Sequence, residues 1–149
     1  MTTYEAELIA HYTQQVPAGI EQEHLTFLSE LNQSPTIPSE SLTAEESLAH
    51  AQNELVAGNL YYQFASTEQD GQRRTKGFEA AYKHVRQSRD TLYAIATVEP
   101  PANEQLRNQA MSDLWTVDQV LYAAELALGR TPEQLPVPPD FFGGTQEGQ

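Results

Sequence analysis

Residues 43–66 read TAEESLAHAQNELVAGNLYYQFAS, and this stretch decides the fold. Thr43-Ala44-Glu45-Glu46 is a capping box, in which the Thr43 hydroxyl accepts from a first-turn amide while Glu46 reaches back to the cap. Behind it Leu48, Ala51, Leu55, Tyr62 and Ala65 recur at the spacing of one helical face. The pattern predicts a helix ending near Ser66. Gly58-Asn59 is a weak spot within it, costing about 1 kcal/mol against alanine.

Prolines mark the limits on both sides, because proline breaks helix interiors. They stand at 17, 35, 38, 100, 101, 132, 136, 138 and 139, leaving 39–99 free of them. Before residue 43, one helix is expected from Thr3 to Gln15, with Tyr4, Leu8 and Tyr12 on a stripe. Another is expected from Ile20 to Asn32, with Ile20, His24, Phe27, Leu28 and Leu31 at helical spacing. After residue 66, Thr67 to Gly77 reads as a polar connection. Phe78, Tyr82, Val85, Arg89 or Ser88, Leu92 and Ile95 then carry a fourth helix, which Pro100 and Pro101 stop. A fifth runs through Leu106, Ala110, Leu114, Val117, Leu121, Ala124 and Leu128, with Gly129 where a terminating glycine belongs.

The expected fold is therefore all-α: a single-domain antiparallel bundle of about five helices over residues 1–130. A flexible Pro/Gly-rich tail is expected over 131–149. A chain of 149 residues suffices for one continuous core. No internal repeat appears at the periods of helical-repeat proteins.

Charge is segregated along the chain. Residues 1–72 hold eleven acids and neither lysine nor arginine. Residues 73–107 hold seven basic residues, including Arg73, Arg74, Lys76, Lys83, Arg86 and Arg89, against four acids. The remainder is acidic again, and the whole chain carries −13. Such a balance argues against direct nucleic-acid binding, which rests on Lys and Arg. The basic segment is expected either to be neutralised by the acidic first half or to form an interaction edge, between subunits or toward an anionic partner.

Chemistry has little to build on. There is no cysteine, hence no disulfide and no thiolate nucleophile. No serine stands in Gly-x-Ser-x-Gly, and the eight glycines form no phosphate loop. The Arg-x4–6-His of HEPN nucleases is missing, since nine residues separate Arg74 from His84. Each histidine follows a glutamate closely: Glu7 and His11, Glu21 and His24, Glu46 and His50, Glu79 and His84. Glu21-x-x-His24 matches one element of carboxylate-bridged metal bundles, but those need two such elements. A histidine at a bundle seam fits His24 better. No catalytic residue, metal ligand or cofactor is expected.

Aromatic residues are more numerous than a small core needs. Trp115 and Tyr122, seven apart, define a second face on the fifth helix. A helix apolar on two faces is either central or at a subunit interface.

The first residues, Met1-Thr2-Thr3-Tyr4-Glu5, lack the basic and apolar regions of a signal peptide, and no apolar run approaches a membrane span. A cytoplasmic location is expected. The function these features favour is a non-enzymatic protein-binding module, an adaptor, chaperone-like or regulatory protein, self-associating as a homodimer. Its interaction surface would comprise Arg73, Arg74, Lys76, Lys83, Arg86, Arg89, Trp115 and Tyr122. One alternative is an acidic inhibitor imitating nucleic acid, which needs acids from several helices on one face. Another is a metal-binding helical-bundle enzyme or sensor, which needs Glu–His pairs converging inside.

Overall fold

A computed structural model describes residues 3–16, 20–33, 42–97 and 104–138. Among them are five α-helices: α1 (Thr3–Gln14), α2 (Gln22–Gln33), α3 (Ala44–Thr67), α4 (Gly71–Thr97) and α5 (Glu104–Ala127). The protein is an all-α bundle. None of these helices is long and apolar enough to cross a membrane.

The capping box at the head of α3 is formed: the Glu46 amide donates to Thr43 Oγ1 at 3.1 Å, and the Thr43 amide donates to Glu46 Oε1 at 2.9 Å. At the other end of the bundle Gly129 has φ +75°, the left-handed geometry that a side chain would strain. The Arg130 amide donates to Glu125 O at 2.9 Å and the Gly129 amide to Leu126 O at 3.0 Å, the two bonds of a Schellman ending.

Helix α4 begins seven residues before Phe78, where the polar segment 67–77 suggested a connection. Only Glu68, Gln69 and Asp70 separate it from α3. Asp70 supplies the start. Its Oδ2 accepts the Arg73 amide at 2.9 Å, and its carbonyl accepts the Arg74 amide at 2.8 Å. Glu68 Oε2 in turn accepts the Asp70 amide at 3.0 Å. Charged residues thus cap and extend a helix whose first two turns lack an apolar stripe.

Helices α3 and α4 run antiparallel with their backbones close. A Cβ placed on Gly77 would stand 2.9 Å from Ala65 Cβ. One placed on Gly58 would stand 2.3 Å from Val85 Cγ2 and 3.1 Å from Ala81 O. Farther along, Ser88 Oγ donates to Ala51 O at 2.7 Å. Gly58 is therefore a crossing point, and its missing side chain is what admits α4.

Helix α5 packs on α4 and α3 through Ala110, Leu114, Val117, Leu121 and Ala124, all buried, as its heptad-like spacing predicted. Its core joins Leu48, Ala51, Val85, Leu92 and Ala96. A second core lies on the other side of α3, where Leu8, Ile9 and Tyr12 of α1 and Leu25 and Leu28 of α2 meet Ala57, Leu60, Tyr61, Phe64, Ala80 and Ala81. With cores on two sides, α3 buries more than one stripe. Tyr61 and Phe64 are sealed, whereas Tyr62 is only half-buried.

The expected tail is described as far as Pro138. Glu133 N–H donates to Glu125 Oε2 at 3.1 Å, Tyr82 Oη donates to Glu133 Oε1 at 3.0 Å, and Leu135 packs on the second cluster. Pro138 is buried. The remaining tail residues, Phe141 and Phe142 among them, lie outside the described residues.

Candidate functional site

Glu5, Glu54 and His84 are all buried and bond to one another. Glu5 follows the apolar face of α1 one turn before Leu8 and Ile9. Glu54 lies on α3 one turn after Ala51, and His84 lies on α4 one turn before Ser88. Antiparallel pairing of α3 with α4 sets Glu54 opposite His84, and α1 delivers Glu5 from the far side. His84 Nδ1 bonds Glu54 Oε1, and His84 Nε2 bonds Glu5 Oε1 at 2.7 Å. Tyr61 Oη donates to the same Glu5 oxygen at 3.3 Å, and Lys83 Nζ donates to Glu5 Oε2 at 2.5 Å. The Tyr61 ring stacks on the imidazole at 5.5 Å and 9°. His50, one turn before Glu54, places Nε2 3.6 Å from Glu54 Oε2.

The electrostatics follow from this enclosure. Burial alone would drive the Glu5 carboxyl up, but the bonds from His84 and Lys83 outweigh it and hold the group down at about 2. Burial would likewise strip His84 of its proton. The carboxylates of Glu5 and Glu54 override that and raise it to about 9. At neutral pH the site is an imidazolium donating both N–H groups to two carboxylates. Tyr61 is raised well above the ordinary phenol range by burial and by Glu5, so it stays a neutral donor. Tyr4, beside the cluster, is raised to about 12 by burial and by Glu5 and Glu79.

The two ring nitrogens face opposite ways, so the carboxylates lie on opposite sides of the imidazole and share no common point. No three His, Asp or Glu side chains are arranged to hold a metal ion among the described residues. A cleft of about 220 Å³ between α1 and the start of α4 is lined by Tyr4, Glu7, His11, Asp70, Arg73 and Lys76 with neighbouring residues. The arrangement holds a proton between two carboxylates.

None of the four histidines pairs by side chain with the glutamate that closely precedes it in the sequence. His11 faces Glu68 at 3.7 Å, and His50 and His84 take Glu54. His24 is half-buried, and its Nδ1 accepts the Glu21 amide at 3.1 Å, capping α2.

The basic segment is largely engaged within the chain. Arg73 Nε lies 3.2 Å from Glu68 Oε1, and Arg74 donates to Glu68 O at 3.2 Å. Lys83 holds Glu5. Arg86 pairs with Asp90 and lies 3.6 Å from Glu133. Arg89 is buried, donating to Asp118 Oδ1 at 3.0 Å with its guanidinium over the Tyr93 ring. Lys76 is exposed on the wall of the cleft. Five of the six cations thus have an oxygen partner within the chain.

Trp115 and Tyr122 stand elsewhere, on the outer face of α5. They are 61% and 55% exposed, and Leu126, one turn on, is 52% exposed. Among the described residues, the second apolar face of α5 is therefore exposed. Sequence reasoning found these two aromatics but missed Glu5, Glu54, Tyr61 and His84. A polar residue inside each apolar stripe was the available signal. No family model, curated protein or solved structure matches the chain.

Proposed function

We propose that this chain is a non-enzymatic protein-binding module, an adaptor or regulatory protein of the cytoplasm, acting as a homodimer through the outer face of α5. One observation carries the reading: Trp115, Tyr122 and Leu126 share an exposed face on a helix whose opposite face is fully packed. Aromatic residues with a polar tip suit interfaces, and an apolar cluster of this kind is where association energy concentrates.

Charge argues for a second copy as the occupant. Between Met111 and Leu126 the acids of α5 are turned elsewhere. Asp113 accepts from Gln52 and Gln109, Asp118 accepts from Arg89, and Glu125 is buried. The face keeps Ser112, Gln119 and the apolar residues. Two chains of charge −13 repel over most of their surface. They meet with least repulsion where each presents no charge, and a basic partner would find nothing to pair with there.

Sedimentation velocity tests this reading. The wild type is expected to sediment as a dimer at high micromolar concentration in both low and high salt, because an uncharged contact is not screened. Trp115→Lys with Tyr122→Lys should give a monomer with an unchanged melting temperature. A wild type that is monomeric at that concentration in both salts refutes the proposal.

A further inference from the structure

Two kinds of helix contact coexist in the molecule. Where α3 meets α4, glycine and alanine bring backbones together at Gly77 against Ala65 and Gly58 against Ala81. Helix α1 instead rides on large side chains. The Tyr12 ring stacks on Phe64 at 4.3 Å, Leu8 and Ile9 fill the space beside Tyr61, and Tyr12 Oη donates to Glu68 Oε1 at 3.3 Å. Contacts at backbone distance bind two helices along their length. Helix α1 meets the rest of the bundle over a much smaller area, and elements with lower contact density open below global unfolding.

Glu5 is the charged element of that patch. It is fully buried, and Lys83, His84 and Tyr61, which donate to it, all belong to the α3–α4 hairpin. The arrangement is asymmetric. When α1 departs, Glu5 returns to water, whereas His84 keeps its bond to Glu54 on the hairpin. The hairpin is left with a paired imidazolium and not with an orphaned one. The cost of opening therefore falls on the bonds to Glu5, to Tyr12 and on the apolar contacts around them.

We infer that α1 and α2 form a lid over the His84–Glu54 pair, latched by Glu5, which opens as a unit while α3, α4 and α5 remain folded. Opening uncovers an apolar floor of Leu60, Tyr61 and Phe64 with an acid–base pair set into it. The closed form keeps that pair from solvent.

Native-state hydrogen exchange of the full chain at fixed pH tests this. Amides of α1 and α2 should exchange together and faster than the buried amides of α4 and α5. Glu5→Gln removes a charged acceptor, and bonds to charged groups are worth enough for at least about tenfold faster opening. That acceleration should appear in α1 and α2 while Val117 and Leu121 of α5 keep their rates. Tyr12→Phe keeps the ring on Phe64 and loses only the bond to Glu68; its smaller acceleration should have the same distribution. It also keeps the test decisive if Glu5→Gln does not fold. Equal exchange rates in all five helices, or an acceleration shared equally by α5 in Tyr12→Phe, would show one cooperative unit and overturn the lid.

Discussion

Replacing Gly58 with alanine should destabilise this protein, although alanine is the better helix former. Within α3 the exchange gains about 1 kcal/mol of helix propensity. Against that, the new methyl would stand 2.3 Å from Val85 Cγ2 and 3.1 Å from the backbone oxygen of Ala81. Neither neighbour yields easily. Val85 is fully buried, and a β-branched side chain in a helix has one strongly preferred rotamer. Relief therefore requires α3 and α4 to separate along a contact that also holds Gly77 against Ala65. Overpacking of this kind costs about 1–3 kcal/mol, and a clash shared with backbone belongs at the upper end. The net loss is about 1–2 kcal/mol, or roughly 2–8 °C in melting temperature for a chain of this size. Urea unfolding with linear extrapolation gives the free energy, and a thermal melt gives the shift. Gly71→Ala is the control, because nothing lies within 4 Å of a Cβ there. It should leave stability unchanged or slightly raised. In a Val85→Ala background the Gly58→Ala penalty should shrink, since one of its two clashes is gone, and a double-mutant cycle measures by how much. A Gly58→Ala variant that melts above the wild type would show that α3 and α4 do not cross at this residue.

The buried cluster predicts the pH dependence of stability. Glu5 titrates at about 2 when folded against its ordinary 4.5, so its contribution is present above pH 4.5 and lost as pH falls toward 2. His84 titrates at about 9 against 6.5, so its contribution is complete below pH 6.5 and lost as pH rises through 9. Melting temperature should peak between pH 4.5 and 6.5, and His84→Gln should flatten the decline from 6.5 to 9; a decline of unchanged steepness in that variant would be evidence against a buried imidazolium. Truncation after Arg130 removes Glu133, Leu135 and Pro138 from the bundle surface and should lower the melting temperature by roughly 2–6 °C, since one or two apolar side chains return to water. An unchanged melt would mean that 131–138 contributes nothing to the fold.

The site was legible in the sequence only where a single helix carries it. Trp115 and Tyr122 are seven residues apart on α5, so their common face follows from helical spacing, and so does the packed stripe opposite. The head of α3 and the glycine after α5 were equally plain, because caps are written in the residues that form them. The start of α4 was less so. Asp70 caps it, but Arg73, Arg74 and Lys76 follow without an apolar stripe, and a periodicity argument has nothing to hold there.

Tertiary structure alone decided the rest. Glu54 and His84 look like surface residues of a glutamate-rich chain until α3 and α4 are paired. Glu5 finds its place only when α1 covers both. A charge can be buried only where another residue repays its lost hydration, and that partner lies 79 positions away for Glu5 and 30 for Glu54. Gly58 shows the same dependence with opposite sign. Local propensity makes it a defect, and the packing of α4 against it makes it a requirement. Periodicity along one helix reports which side turns inward, but what that side meets is set by the neighbouring helix.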